Sequence, residues 1–213
     1  MPLLKVGLTG GIASGKSLAS QYFSQSGVNI IDADKISKQL LSADSPLLKP
    51  IKLRFGENIL DVYGQLKRDV LRQIVFNSKE DLDWLNQLIH PKVAETIEQK
   101  LSHYNKKADK GYIIIDIPLL INQTGNIPEH LSRFIDRILV IDTDVDNQIN
   151  RICHRDKLSR EDALKIINAQ SSREQRLSLA DDIVQNNGSP AELESKINIL
   201  HNKYLKLASK SEK

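Results

Sequence analysis

Val6-Gly7-Leu8-Thr9-Gly10-Gly11-Ile12-Ala13-Ser14-Gly15-Lys16-Ser17 is the stretch whose reading decides the fold. It continues an apolar run from Leu3, suited to a buried strand, and changes within a few residues into a segment dense in glycine. Beyond it, Leu18, Ala19 and Tyr22 fall on one face at helical spacing. The spacing of Gly10, Gly15, Lys16 and Ser17 matches the phosphate-loop pattern G-x-x-x-x-G-K-[ST]. Glycines let successive N–H groups converge on an anion, and a helix N-terminus adds the positive end of its dipole. The loop from Gly11 through Ile12, Ala13, Ser14, Gly15 and Lys16 to Ser17 is therefore expected to hold a nucleoside triphosphate. Lys16 would reach the β- and γ-phosphates, and the Ser17 hydroxyl would meet Mg²⁺. A glycine turn carrying Lys-Ser by coincidence is the bland alternative, and the strand before and helix after speak against it.

Composition narrows the class. The chain has 213 residues, 40% hydrophobic and 27% charged, as expected of one globular domain with room for an insertion or lid. A net charge of +3 favours anionic small ligands and does not call for nucleic acid. Cys153 is the single cysteine, which excludes an intrachain disulfide and makes a structural role the expectation. No apolar run approaches the ~20 residues of a membrane-spanning helix, and the N-terminus has no signal-peptide pattern. A cytoplasmic protein without membrane or nucleic-acid partners is expected, monomeric or at most weakly oligomeric.

Strand-like pieces alternate with helical ones, as in parallel α/β folds. After the first strand come Val28–Ile31, Tyr112–Ile115, Arg137–Ile141 and Asp182–Val184, which predicts a five-stranded parallel sheet flanked by helices. The core is expected over about 1–39, 111–150 and 179–213. Between lies a helical insertion at about 40–110, where Leu71, Ile74, Val75, Leu82, Leu85, Leu88 and Ile89 recur at helical spacing. Pro91 is expected to break this helix after His90, and residues 103–111 to form an exposed connector. A lid is expected at about 150–178: a helix from Asp146 to Arg155, a short loop, and a second helix opened by Ser159-Arg160-Glu161-Asp162. Of its arginines, Arg151 and Arg155 stand out, because i,i+4 spacing puts them on one face where they could close on phosphate.

Phosphate loops serve kinases, GTPase switches and mechanical ATPases. Asn105-Lys106-Lys107-Ala108-Asp109 has one residue too many for a guanine-reading N-K-x-D, and Asp116-Ile117-Pro118-Leu119 lacks the glycine of a γ-phosphate switch. The chain resembles the dephospho-CoA kinases in Gly7–Ser17, Asp32-Ala33-Asp34, Leu85–Pro91, Asp116–Leu120, Arg151–Asp156 and Ala180–Gly188, in order and over nearly its whole length. One departure is Ala13, where the family often has glycine.

The resemblance implies phosphorylation of the ribose 3′-hydroxyl of dephospho-CoA by ATP with Mg²⁺, the last step of CoA synthesis. Asp34 is expected to be the base for the acceptor hydroxyl, its alternative being a helix N-cap before Ile36 and Leu40. Asp32 and Asp116 are candidates to reach magnesium through water, with Asp116 otherwise a strand-end turn former. Lys16, Arg155 and Arg151 would meet the triphosphate. Asn187 and Gly188 resemble the family's loop beside the adenine, and Arg68, Arg72 and His90 its acceptor side. For His90 the alternative is a helix-ending histidine packed before Pro91. A P-loop NTPase whose hydrolysis drives binding or assembly is the competing function, distinguished by whether transfer depends on an acceptor.

Overall fold

The computed structural model describes residues 3–107 and 111–210. Two compact units are present, one from the segments up to Asp32 and from Lys100 onward, the other from Ala33–Gln99. The first unit opens with β1 (Leu4–Gly10), α1 (Lys16–Gln25) and β2 (Ile30–Asp32). The second contains α2 (Ala33–Leu40), α3 (Leu48–Phe55), a 3₁₀ turn (Glu57–Ile59) and α4 (Arg68–Phe76). Helix α5 (Lys79–Lys107) begins in the second unit and ends in the first. There follow β3 (Tyr112–Asp116), α6 (Glu129–Ser132), β4 (Arg137–Asp142), α7 (Val145–Asp156), α8 (Arg160–Asn168), α9 (Arg173–Ser178), β5 (Asp182–Gln185) and α10 (Pro190–Lys210).

The five strands form one parallel sheet in the order β2-β3-β1-β4-β5. Its central strands read as near-continuous apolar runs because both faces are covered, and Val6, Leu8, Ile113, Ile114, Ile115, Leu139, Val140 and Ile141 are all buried. Phe23 of α1 and Tyr204 of α10 meet Tyr112 of β3, with ring centroids 6.2 and 5.2 Å from it. The chain passes from β3, on one side of β1, to β4 on the other. β1 therefore lies at the topological switch, where open parallel sheets bind ligands beyond the strands' carboxyl ends.

In the second unit Leu48, Ile51, Ile59, Leu71, Val75, Leu85, Ile89, Val93 and Ile97 are buried. Phe55 and Trp84 meet edge to face at 5.6 Å, and the Arg54 guanidinium stacks 5.0 Å from the Trp84 ring while bonding Asp81 at 2.8 Å.

The expected break at His90-Pro91 is corrected: α5 runs through Pro91 for 29 residues. Pro91 has no N–H to give the carbonyl of Gln87, but the apolar face carries on across it through Leu85, Ile89, Val93, Ala94, Ile97 and Leu101, all buried. Burial along that continuous seam outweighs the loss of one backbone bond. The expected connector is also partly helix, since α5 continues to Lys107 and Asn105 Oδ1 accepts the Leu3 N–H at 2.9 Å. Residues 108–110 of that connector lie outside the described residues. Replacing Pro91 by Ala should raise stability by about 1–3 kcal/mol, because it restores a donor and removes a ring clash inside a helix. The midpoint of urea unfolding measures this.

Candidate active site

The loop between β1 and α1 is held open by close approaches that only glycine permits. Gly15 caps α1 at φ 94°, and a Cβ there would overlap the Asn186 side chain. A Cβ on Gly11 would lie 2.6 Å from Gln148 Nε2 and 2.9 Å from a terminal nitrogen of Arg176. Ala13, at the position where the resembled family often has glycine, has φ 57°. A left-handed alanine costs roughly 1–2 kcal/mol, so the surroundings must hold it there.

Side chains outside the loop do this. Gln148 Nε2 donates to the Ile12 carbonyl at 2.7 Å, Arg151 to the Ala13 carbonyl at 3.1 Å, and Asn186 Nδ2 to the Ser14 carbonyl at 2.7 Å. The Ile12 N–H donates to Gln170 Oε1 at 2.9 Å, and the Ser14 N–H closes onto the Gly11 carbonyl at 3.1 Å. Lys16 starts α1 from Gly15, with its own N–H and that of Ser17 among the helix-end donors that lack an intrahelical acceptor. Ser17 itself is exposed.

At the carboxyl ends of β2 and β3, Asp32 and Asp116 are register partners, and Leu8 of β1 is opposite Asp116 on its other side. Lys16 Nζ bonds Asp116 Oδ1, in a pair whose side chains are 15% and 5% exposed. Burial pushes the Asp116 carboxyl above its ordinary range, with the Lys16 charge pulling it back and Asp32 adding to the rise.

The arginines of α7 and α9 divide sharply. Arg151 bridges the loop to the Asn186 carbonyl at 2.9 Å. Arg155 turns instead to its neighbour Asp156, at 2.8 and 2.9 Å, and is exposed at the end of α7. Arg151 and Arg155 both lie in α7 at the expected i,i+4 spacing, but their side chains take different partners, Arg155 turning to the carboxylate of the last helical residue. Arg173 grips the buried Asp142 through Nε and a terminal nitrogen, at 2.9 and 2.6 Å. Arg176 is buried beside Gly11 and donates to the Ser171 carbonyl, and burial pushes its pKa down.

Asn187 spends its side chain locally, accepting from Thr143 at 2.8 Å and donating to Asp144 at 2.8 Å. Gly188 leaves room for the Glu192 carboxylate, which accepts the Ser189 N–H at 3.2 Å. In the second unit, α2 opens at Ala33, so Asp34 lies exposed inside its first turn and is not its N-cap. Arg68 at the start of α4 donates to the Lys38 carbonyl at 2.9 Å, Arg72 is exposed one turn on, and His90 lies exposed in mid-helix. The alternative of a packed, helix-ending His90 is thereby corrected. Gln148, Gln170, Asn186 and Asp142 were not singled out from the sequence. One signal was there: Gln148 lies three residues before Arg151 on the same helix face.

The family model for dephospho-CoA kinase matches residues 4–192. The chain belongs to the dephospho-CoA kinase family. It is 39% identical over 204 residues to the dephospho-CoA kinase of Shigella flexneri, covering 96% of this chain and 94% of that one. Against the enzyme of Mannheimia succiniciproducens the identity is 41% over 207 residues, with 95% and 92% covered. Among solved structures, dephospho-CoA kinase from Campylobacter jejuni aligns with a TM-score of 0.70 and 28% identity, over 95% of this chain and 97% of that one. A Thermus thermophilus protein aligns at 0.77 with 26% identity, over 95% and 98%. Members of this kinase family are phosphoryl transferases that complete CoA biosynthesis.

Lys16→Ala should lose transfer and also cost about 3–5 kcal/mol of stability, because Asp116 is left buried without its counterion. The sign with pH follows from the raised carboxyl pKa: the folded variant binds more protons than the unfolded chain, so the penalty shrinks as pH falls. Adding Asp116→Asn should recover most of the stability and none of the turnover, as denaturant titration and a coupled assay of the double variant will measure.

Proposed function

We propose that the chain transfers the γ-phosphoryl group of ATP to the ribose 3′-hydroxyl of dephospho-CoA, giving CoA and ADP. It would do so as a cytoplasmic monomer, on these two small molecules alone. The observation that carries the reading is the buried Lys16–Asp116 pair at the start of a glycine-capped helix, at the switch point of a parallel sheet. There the loop amides between Gly11 and Ser17 and the Lys16 ammonium meet the β- and γ-phosphates. The N–H groups of Ile12 and Ser14 are the exceptions, taken by Gln170 and by the Gly11 carbonyl.

The oxygen donors suit magnesium. Ser17 hydroxyl, Asp32 and Asp116 are hard ligands, and among the described residues no group of three or more His, Cys, Asp or Glu forms a cage of its own. Such a set fits Mg²⁺ shared with phosphate oxygens, the ion supplying charge neutralisation there. The Ser14 Oγ, buried and without a partner among the described residues, leaves one more polar group in the loop for a bound anion.

Asp34 serves as the base. It follows the Asp32–Asp116 register pair by two residues and is exposed in the first turn of α2, so its carboxylate is available to accept the acceptor's proton. Arg68, Arg72 and His90 would contribute to acceptor binding, and Asn187 and Gly188 to the adenine side through their backbone. Among the lid arginines, Arg151 and Arg176 already adjoin the loop, whereas Arg155 would have to leave Asp156 to reach phosphate.

The direct test is ADP formation with and without dephospho-CoA. A kinase requires the acceptor, and acceptor-independent hydrolysis at the same rate would instead indicate an NTPase. Asp34→Asn should lower kcat by about 10²-fold or more with ATP affinity little changed, since a general base contributes roughly 10²–10⁴-fold.

Both ends of the lid segment are tied down, α7 by Gln148 and Arg151 and α9 by the Arg173–Asp142 pair. Closure should therefore concentrate between them. Hydrogen exchange should slow most over α8 and its flanks when ATP and acceptor bind, and little at the start of α7.

A further inference from the structure

Three consecutive carbonyls of the phosphate loop, those of Ile12, Ala13 and Ser14, are each held from outside by a side chain. Two of the three donors are neutral amides. Gln148 on α7 is 2% exposed and Asn186, just after β5, is 7% exposed. Asn186 is fixed in turn, its N–H on the Asp142 carbonyl at 2.7 Å and its carbonyl accepting from Thr143 at 2.9 Å.

The geometry of the peptide unit converts these contacts into a statement about the site. All described peptides are trans, and in a trans peptide the C=O and the N–H point to opposite sides. Fixing the Ile12 carbonyl outward therefore turns the Ala13 N–H inward, and fixing the Ser14 carbonyl turns the Gly15 N–H inward. The Ser14 N–H, between them, is spent on the Gly11 carbonyl. Ala13 and Gly15 both have positive φ, the backbone alternation that gathers N–H groups into an anion-binding concavity. Alanine does not adopt that φ readily, so its conformation depends on the outer contacts.

We propose that Gln148 and Asn186 are positioning residues for phosphoryl transfer, holding the loop peptides so that the Ala13 and Gly15 N–H groups face the phosphates. The inference rests on the reading that this loop binds ATP. Neutral amides suit the task for a physical reason. They supply directed donors in a buried place without adding to the positive charge that Arg151 and Arg176 already set beside the loop.

Gln148→Glu makes the proposal testable without changing size. As a protonated acid, Glu can still donate to the Ile12 carbonyl; as a carboxylate, it repels it. Burial raises the pKa of such a group and the neighbouring Arg176 guanidinium lowers it, so the measurement spans the whole pH range in which the protein stays folded. ATP affinity, measured by calorimetry and expressed relative to the unsubstituted protein at each pH, should be near unity at the acid end. It should drop about tenfold or more at the alkaline end, the size expected for a lost buried hydrogen bond. Gln148→Leu should be weaker by a similar factor at every pH, and the KM for dephospho-CoA should stay unchanged in both. A merely structural role would lower the melting temperature and leave the relative ATP affinity flat and near unity across pH, and that result overturns the proposal. If Gln148→Leu does not fold, the pH profile of Gln148→Glu decides alone. Failure of the unsubstituted protein to bind ATP would overturn the loop reading itself, and it is distinguishable because it needs no substitution to appear.

Discussion

The ion pair between Lys16 and Asp116 links the fold to the chemistry. A lysine at the start of a helix, where the dipole is already positive, and a carboxylate at the end of a central strand are each costly to bury alone. Together they are tolerated, and the pairing requires β1, α1 and β3 to be in their observed places. The strand order does this by setting β3 beside β1, so that Asp116 meets the residue that follows the glycine loop. Phosphate competes with Asp116 for the same ammonium. Binding thus exchanges one anionic partner for another, so Lys16 need not be desolvated anew.

Around that pair the loop is held by partners from elements distant in sequence. Gln148 lies 136 residues from Ile12, and Asn186 lies 172 from Ser14. A local sequence pattern sets what the loop can do, while the outer contacts set which way its peptides face. That division explains how alanine is accommodated at position 13 with φ 57°. Its methyl packs with Ile12 against Ile149, Ile152 and Ala163, so apolar burial offsets part of the backbone strain that glycine would have avoided.

Much of this was legible in the sequence, for physical reasons that can be named. The central strands β3 and β4 are runs of Ile, Leu and Val, and runs of that kind buried on both faces are recognisable without tertiary information. The loop was legible because its function demands particular residues at fixed spacing. What sequence reading missed follows from long-range competition. Pro91 was expected to end a helix because its local cost is plain, but the apolar seam from Leu85 to Leu101 that overrides it is a tertiary property. Arg151 and Arg155 share helical spacing yet part company, one drawn to the Ala13 and Asn186 carbonyls and the other, a turn nearer the helix end, to the adjacent Asp156. Gln148 and Asn186 carry no motif, and their relevance emerges only when donors are paired with the carbonyls they meet.

The arrangement of charge gives the site its preference for anions. Asp142 neutralises Arg173, and Asp116 neutralises Lys16. Arg151 and Arg176 have no carboxylate at ion-pair distance among the described residues, and both adjoin the loop, one through the Ala13 carbonyl and the other beside Gly11. Arg176 is the more telling of the two, since it is 7% exposed and makes a single described hydrogen bond from a group with five donors. A buried guanidinium with spare donors is unfavourable unless something else compensates it. Hydrogen bonding to carbonyls meets part of that cost for Arg151, but Arg176 is left with charge directed toward the glycines. An anion placed there would gain from both cations without displacing either from a carboxylate, which makes the loop more than a ring of amides. Its field is set by which cations beside it are already paired with a carboxylate, as Lys16 is with Asp116 and Arg173 with Asp142.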